Sequence, residues 1–514
     1  MIQHSAIRLS SAQPRRVLIA ALLLAAFALA IALRLRQSAS PMVFDEYASM
    51  YFSQRSWGEL WGWWMVRETN PPLFYSVLKL WRGVVPANDA ALRLLPLLLS
   101  LAQMALLAKI AGRVYGGFAA VLVVVLFAVG PSDIYQSEYL RAYVLAKLAV
   151  TVSFAGLIYA VADGPKARRG WATFIGGAVV AIYCHTTMLL WPPIAALAAL
   201  VEWTVTGKIE RRKVTALLVS GLAIMALSGW VLIIAVLQLR AHAGDISWIQ
   251  PLSLEDYASS IDLQILQDAP IGSSLMGCLI ALGVVRTWRN PATRLALVIV
   301  PATLIAYKLA DTIHPITSDF TLHWCATFTV LLAAAALANW KTARRGIEQG
   351  FAAAVAVIVA AVGWYELQTD VWIPQPQDFR YASHTVANTP RAALLASHES
   401  IAVVISQGCK LEFARPDCPF PFVVLANPAK SDSWSDGGYG KPLVPVAKAR
   451  QALGNAKTVY AFSRYVYTPL DQLGIDARRY RHVEWDDGEL IGPIPIADIP
   501  ARPRAPIKNA DEIL

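Results

Sequence analysis

The sequence predicts a mostly α-helical polytopic membrane protein of about eleven transmembrane helices, with a small α/β domain at its C-terminal end. Three observations carry this prediction. Of 514 residues, 56% are hydrophobic and only 16% are charged, whereas a soluble domain carries about a quarter charged residues. The missing charge leaves apolar runs of about 20 residues, several with no charge at all, the length that crosses a bilayer. Short Lys/Arg clusters separate these runs.

The runs fall at 17–33, 91–111, 117–131, 141–162, 171–186, 187–204, 214–237, 271–285, 293–310, 321–339 and 348–366. The first, behind Arg15 and Arg16, has the look of a signal peptide, but the spans that follow favour an uncleaved first helix. The stretch after Asn70-Pro71-Pro72 is shorter and reads as an interfacial helix. With the N-terminus inside, Lys166, Arg168, Arg169, Lys208, Arg211, Arg212, Lys213, Arg286, Arg289, Arg294, Lys341, Arg344 and Arg345 all lie in cytoplasmic connections, as the positive-inside rule requires. Arg34 and Arg36 run against it, at the start of a long loop. The net charge of +10 is therefore topological and implies no nucleic acid.

An odd number of spans puts the C-terminal region outside. The predicted division is a transmembrane domain over 1–367, whose first outside loop is 34–90, and a soluble domain over 368–514. Strand-like runs in that domain are Ile401–Ser406, Phe422–Leu425 and Thr458–Phe462. Outside the cytoplasm, Cys409 and Cys418 can form a disulfide. The sequence has no CxxC and no His/Cys spacing for zinc. No cofactor and no metal ligand are predicted, and dependence on a divalent metal is left open.

Chemistry-bearing residues gather on the outer side. Asp45 and Glu46 follow the first span. Adjacent positions on a helix diverge, so one carboxylate could act as a base while the other makes a structural contact; both also suit a helix N-terminus. Asn70–Tyr75 reads as a turn into a helix. In the next connection Glu138 and Arg141, three apart, would share a helix face. Arg141, at the lip of a span, can snorkel, pair with Glu138 or grip a phosphate. His185 ends the fifth span; His314, Asp319 and His323 lie before the tenth without forming a convincing metal site. No P-loop or GxGxxG is present, so a substrate delivered through the bilayer, such as a lipid-linked sugar, fits better than a cytosolic nucleotide.

The order of several motifs resembles a known family. Asp45-Glu46 is followed by Asn70-Pro71-Pro72-Leu73-Phe74-Tyr75, Arg93-Leu94-Leu95-Pro96, the Tyr115–Gly117 turn, Tyr135-x-x-Glu138 with Arg141-x-Tyr143, and Tyr183-x-His185. This set resembles the GT-C superfamily of membrane glycosyltransferases. Within it, the set is most similar to the protein O-mannosyltransferase-like branch that includes lipid A aminoarabinose transferases and bacterial lipopolysaccharide-modifying enzymes. The match covers residues 40–190. The resemblance implies a polyprenyl-phosphate-linked sugar as donor and a glycan, lipid or protein as acceptor, at the periplasmic face of the inner membrane. It implies Asp45, Glu46 and Glu138 as catalytic residues, with Asp45 the base, and Arg141, Tyr143, His185 and His323 as the donor's phosphate-binding set. Two departures stand out: Glu138-x-x-Arg141 replaces the family's Glu-x-Arg, and His323-Trp324 stands where relatives carry Arg-Tyr. A lipid or glycan transporter without transferase activity is the alternative; it would place ionisable groups and broken helices inside the spans. A non-catalytic scaffold is a third.

Overall fold

The computed structural model describes residues 12–241 (except 37 and 39), 249, 251–262, 270–338 (except 319), 345–369, 379–426 (except 397, 398 and 416), 443–464, 469–485 and 488–501. The chain divides into two compact units. The first comprises Met1–Ser38, Arg93–Ile233 and Ile246–Trp372; the second comprises Ala39–Leu92, Ile234–Asp245 and Ile373–Leu514.

The first unit is helical. Most of every apolar run lies in helix, the α-helices being Ala12–Leu35, Asp89–Val114, Gly117–Val129, Tyr143–Val161, Ala167–Cys184, Trp191–Val205, Arg211–Leu227 with Gly229–Ala241, Pro270–Thr287, Pro291–Asp311, Ala326–Ala334 and Arg345–Thr369. Among the described residues five helices are long and apolar enough to cross a membrane, or seven if each of two bent pairs is one span. Two shorter apolar helices, Ser273–Thr287 and His323–Leu337, add to these.

The expected run 214–237 is not one straight helix. It bends by 61° between Leu227 and Gly229, at a Ser-Gly pair of the kind that breaks helices. The second bend, of 67°, separates Gly117–Val129 from Pro131–Glu138. Gly130 is extended there and Pro131 starts the next helix, where its missing N–H costs nothing. The Tyr115-Gly116-Gly117 turn needs its glycines: Gly116 has φ of 107°, and a Cβ on Gly117 would lie 2.5 Å from Ile19. Helices Tyr143–Val161 and Ala167–Cys184 pack backbone to backbone, since a Cβ on Gly156 would sit 2.4 Å from the Phe174 nitrogen.

The second unit joins the first loop to the C-terminal region. Its five-stranded sheet contains β1 (Ala392–Ala396), β2 (Phe422–Val424), β3 (Thr458–Arg464), β4 (His482–Trp485) and β5 (Gly488–Pro495), in the order β2-β1-β3-β5-β4. β1 pairs in parallel with β2 and β3, while β3–β5 and β5–β4 are antiparallel. The runs at 422–425 and 458–462 are strands as expected. Ile401–Ser406 is not; it lies in helix Glu399–Phe413. Residues Ile401–Ile405 are all buried, with the helix packed against Phe44–Ser53, Phe379–Ala387 and β1. A helix covered on every side shows an uninterrupted apolar run, which periodicity cannot tell from a buried strand. Cys409 and Cys418 form a disulfide.

Candidate active site

In the first unit the site is built around the break at Gly130–Pro131. A helix end leaves carbonyls without partners, and here Arg34 takes them. Its guanidinium donates to Phe127 O (2.7 Å), Ala128 O (3.3 Å) and its own Ala30 O (3.2 Å). Arg34 is buried, and the charges of Asp133 and Glu138 bear on it. The basic residue that broke the charge rule is thus a clamp on a neighbouring helix terminus.

The helix released by that break carries Asp133 in its first turn. Lys147, one turn into its own span, donates to the Asp133 carboxylate, and its ammonium lies 4.3 Å from the Phe127 ring centre. His323 Nε2 is 3.0 Å from Asp133 Oδ1 and 3.0 Å from Lys147 Nζ. Carrying its proton, Nε2 donates to Asp133; without it, Nε2 accepts from Lys147. All three are buried. One turn further along, Gln103 reaches Thr151 and Thr327, each at 3.5 Å. A polar seam therefore runs between three apolar helices.

Beside this seam lies a small, partly open pocket whose lining includes Gln136, Tyr143, His185, Phe320, Thr321 and Trp324. Tyr143 stands 5.3 Å from His185 and 5.6 Å from Phe320, ring centre to ring centre. Tyr139 and Tyr135 extend the aromatic wall. His185 Nδ1 accepts from the Thr187 N–H at 3.3 Å and sits 2.8 Å from the Thr187 hydroxyl. Its proton accordingly sits on Nε2. The floor is fixed by Trp324 Nε1, which donates to Tyr307 (3.0 Å), and by the Tyr307 hydroxyl, which donates to Thr321 O (2.8 Å). Asp311 accepts from Ile316 and Thr317 and so shapes the loop that delivers Phe320 and His323.

The structure thus gathers Tyr143, His185 and the residues flanking His323 at one pocket. His323 itself is held away from solvent by Asp133 and Lys147. The Arg141 charge bears on His185. Glu138 and Arg141 do not share a helix face as expected: the helix ends at Glu138, Tyr139 is extended, and the helix carrying Tyr143 begins anew. Asp319 lies outside the described residues. His314 ends a helix-terminal turn, its Nδ1 3.2 Å from Pro315 O.

The other two predicted residues belong to the second unit. Asp45 and Glu46 occupy the first turn of helix Phe44–Ser53. Glu46 is buried, and its Oε2 accepts from the Val43 N–H at 3.0 Å, closing the helix start as the dipole argument anticipates. Asp45 is partly exposed. Behind it, Tyr47 packs edge-on to Phe379 at 5.9 Å, and burial pushes its phenol well above the usual range. Asn70-Pro71-Pro72 is a turn wound about a buried acid: Glu68 Oε1 accepts from Asn70 N (3.1 Å), Asn70 Nδ2 (3.0 Å) and Tyr75 Oη (2.8 Å).

No family model matches the chain, and no curated protein matches it in sequence. Solved structures do match. ArnT from Cupriavidus metallidurans in the apo state is 13% identical, with a TM-score of 0.59 over 94% of this chain and 99% of that one. The same protein bound to undecaprenyl phosphate gives 0.58 over the same shares. The chain shares the fold of that protein, which is a membrane glycosyltransferase of the GT-C type. Archaeal oligosaccharyltransferase AglB from Archaeoglobus fulgidus, in complex with an inhibitory peptide and a dolichol-phosphate, has a TM-score of 0.52 at 11% identity over 87% of this chain and 69% of its own.

On this GT-C fold, sequence reasoning missed Arg34, Asp133, Lys147 and Glu68. Lys147 had a signal: a lone ammonium inside an apolar run needs a counter-charge at membrane depth. Asp133 was visible in the same connection as Glu138. Arg34 stood out as a basic residue against the charge rule, but its carbonyl partners and the amide partners of Glu68 are delivered only by the fold.

Proposed function

We propose that the chain is a glycosyltransferase that moves a sugar from a polyprenyl-phosphate-linked donor to a glycan, lipid or protein acceptor at the periplasmic face of the inner membrane. The observation that carries this reading is the likeness along nearly the full length of both chains to ArnT, whose structure was also solved with undecaprenyl phosphate bound. The Cys409–Cys418 disulfide fits an oxidising compartment for the second unit, and the count of about eleven spans is retained with it.

In the proposed reaction the acceptor hydroxyl oxygen attacks the sugar's anomeric carbon as the bond from that carbon to the phosphate oxygen breaks. The hydroxyl proton passes to the Asp45 carboxylate, and the bonding pair leaves on the phosphate. A phosphate leaving group needs positive charge rather than a proton, and Arg141 supplies it through its guanidinium fork. The His185 Nε2–H is a further donor, and Tyr143 with Phe320 gives the apolar wall. Glu46 and His323 hold structure around these groups; Glu138 sets the local field at Arg34.

Purified chain in lipid nanodiscs, given radiolabelled polyprenyl-phosphate sugars and cell-envelope acceptors, is expected to transfer label. Asp45→Asn should lower the rate by ~10²–10⁴-fold, and Arg141→Ala by ~10²–10³-fold. Full activity from a stably inserted Asp45→Asn variant would remove Asp45 as the base. Two observations favour the transporter reading: the buried Asp133–Lys147–His323 cluster and the helix bends of 67° and 61° are what it anticipates. Movement of a fluorescent lipid-linked sugar across proteoliposomes, without label transfer, would decide for it.

A further inference from the structure

The second unit contains a cluster that the glycosyltransfer reading leaves unused. His482 and Glu484 lie two residues apart on β4, so they project from the same face of the strand. Glu489 of β5 stands directly opposite Glu484 in the antiparallel register. One ligand atom from each of the three lies within 4.8 Å of the others. β4 is an edge strand. Like charges directly opposed across two strands destabilise a hairpin, yet here two carboxylates are paired, and the Glu489 charge also bears on Asp471.

The imidazole supplies a second, separate observation. His482 Nε2 lies 2.9 Å from Ala477 O, and Nδ1 lies 2.7 Å from Glu489 Oε2. A carbonyl and a carboxylate both only accept. Nε2 must therefore carry a hydrogen, and Nδ1 donates a second one to the carboxylate, so a positive charge already stands where a metal ion would take the proton's place. An imidazole whose far N–H is held by a backbone carbonyl, with its other nitrogen aimed at carboxylates, has the orientation that metal-ligating histidines show.

We propose that His482 Nδ1, Glu484 and Glu489 bind one divalent transition-metal ion of the zinc class, with water completing the coordination. One nitrogen and two carboxylates suit such an ion. Tetrahedral bonds of about 2.0–2.1 Å put neighbouring ligand atoms about 3.3 Å apart, so the ion displaces the Nδ1 proton and moves the Glu489 carboxylate outward by a fraction of an ångström. It neutralises the opposed pair and fastens the β4–β5 hairpin to the turn at Ala477. Its place is structural and independent of the sugar-transfer reading.

The test uses the full chain in nanodiscs, stripped with chelator and titrated with ZnCl2 or, as a comparison, MgCl2. Bound metal is read by mass spectrometry after desalting, and the unfolding temperature is followed in parallel. Wild type should take up one more zinc ion per chain than His482→Ala, should gain thermal stability on binding, and should respond weakly to magnesium. Glu484→Gln changes an exposed side chain and leaves the fold intact; it should bind that ion at least ~10-fold more weakly. Equal zinc content and equal stabilisation in wild type, His482→Ala and Glu484→Gln would overturn the proposal. So would a wild type that gains stability equally from magnesium.

Discussion

At the scale of single residues, the buried charges of the first unit explain each other. Asp133 and Lys147 are each costly alone in an apolar interior, and each makes the other tolerable. Lys147→Met should therefore leave Asp133 uncompensated and lower stability by ~3–5 kcal/mol, read as a fall in unfolding temperature in detergent. The double variant Asp133→Asn/Lys147→Met should recover much of that loss. Equal losses in the single and double variants would mean that the pair does not share one interaction. Such partners are the hardest thing to read from a linear chain. Lys147 stands out among apolar neighbours, but Asp133 is 14 residues earlier and His323 is 176 later. Arg34 shows the same limit: its partners are backbone carbonyls 93 and 94 residues away, and no residue type announces them. By contrast Tyr143 and His185, which the motif order pointed to, do meet at one pocket.

At the scale of elements, long apolar runs were legible from composition, and α- or 3-10 helix accounts for most of each one. Where runs break had only a local signal, since Gly130-Pro131 and Ser228-Gly229 are pairs of the kind that breaks helices inside otherwise continuous apolar runs. The second unit reversed one expectation and holds one strand that the sequence did not signal. Ile401–Ser406 has β-branched residues yet lies in a helix, because burial of the helix against its neighbours outweighs propensity. Ala392–Ala396 has poor strand propensity yet is a central parallel strand, buried at every position. Close packing of Tyr143–Val161 on Ala167–Cys184 depends on Gly156 and Gly170, where a Cβ would meet backbone at 2.4 and 2.6 Å. Gly156→Val should force those helices apart, costing ~1–3 kcal/mol or more; an unchanged unfolding temperature would show that the contact is looser than described.

At the scale of the whole molecule, the C-terminal region and the first loop form one compact unit. Gln54 hydrogen-bonds Gln407, Lys410 donates to Gln54 at 3.2 Å, and Arg380 pairs with Asp89 and, at 3.5 Å, with Glu412. The Cys409–Cys418 disulfide closes a loop with a sequence separation of 9, worth about 2–3 kcal/mol on the chain-entropy account; reductant, or Cys409→Ser with Cys418→Ser, should lower the unfolding temperature to match. Removing everything after Trp372 should expose Phe44–Ser53, and limited proteolysis should then cut between residues 40 and 90 where the full chain resists. Those pairings also set a timetable for synthesis. Residue 54 leaves the ribosome 353 residues before its partner at 407, which at 5–20 residues per second is about 18–70 s. Throughout that wait the segment 44–82, with Phe52, Phe74 and Tyr75 destined for the interior, has nothing of its own unit's C-terminal part to fold against. Until that later part of its unit is made, those side chains stay exposed.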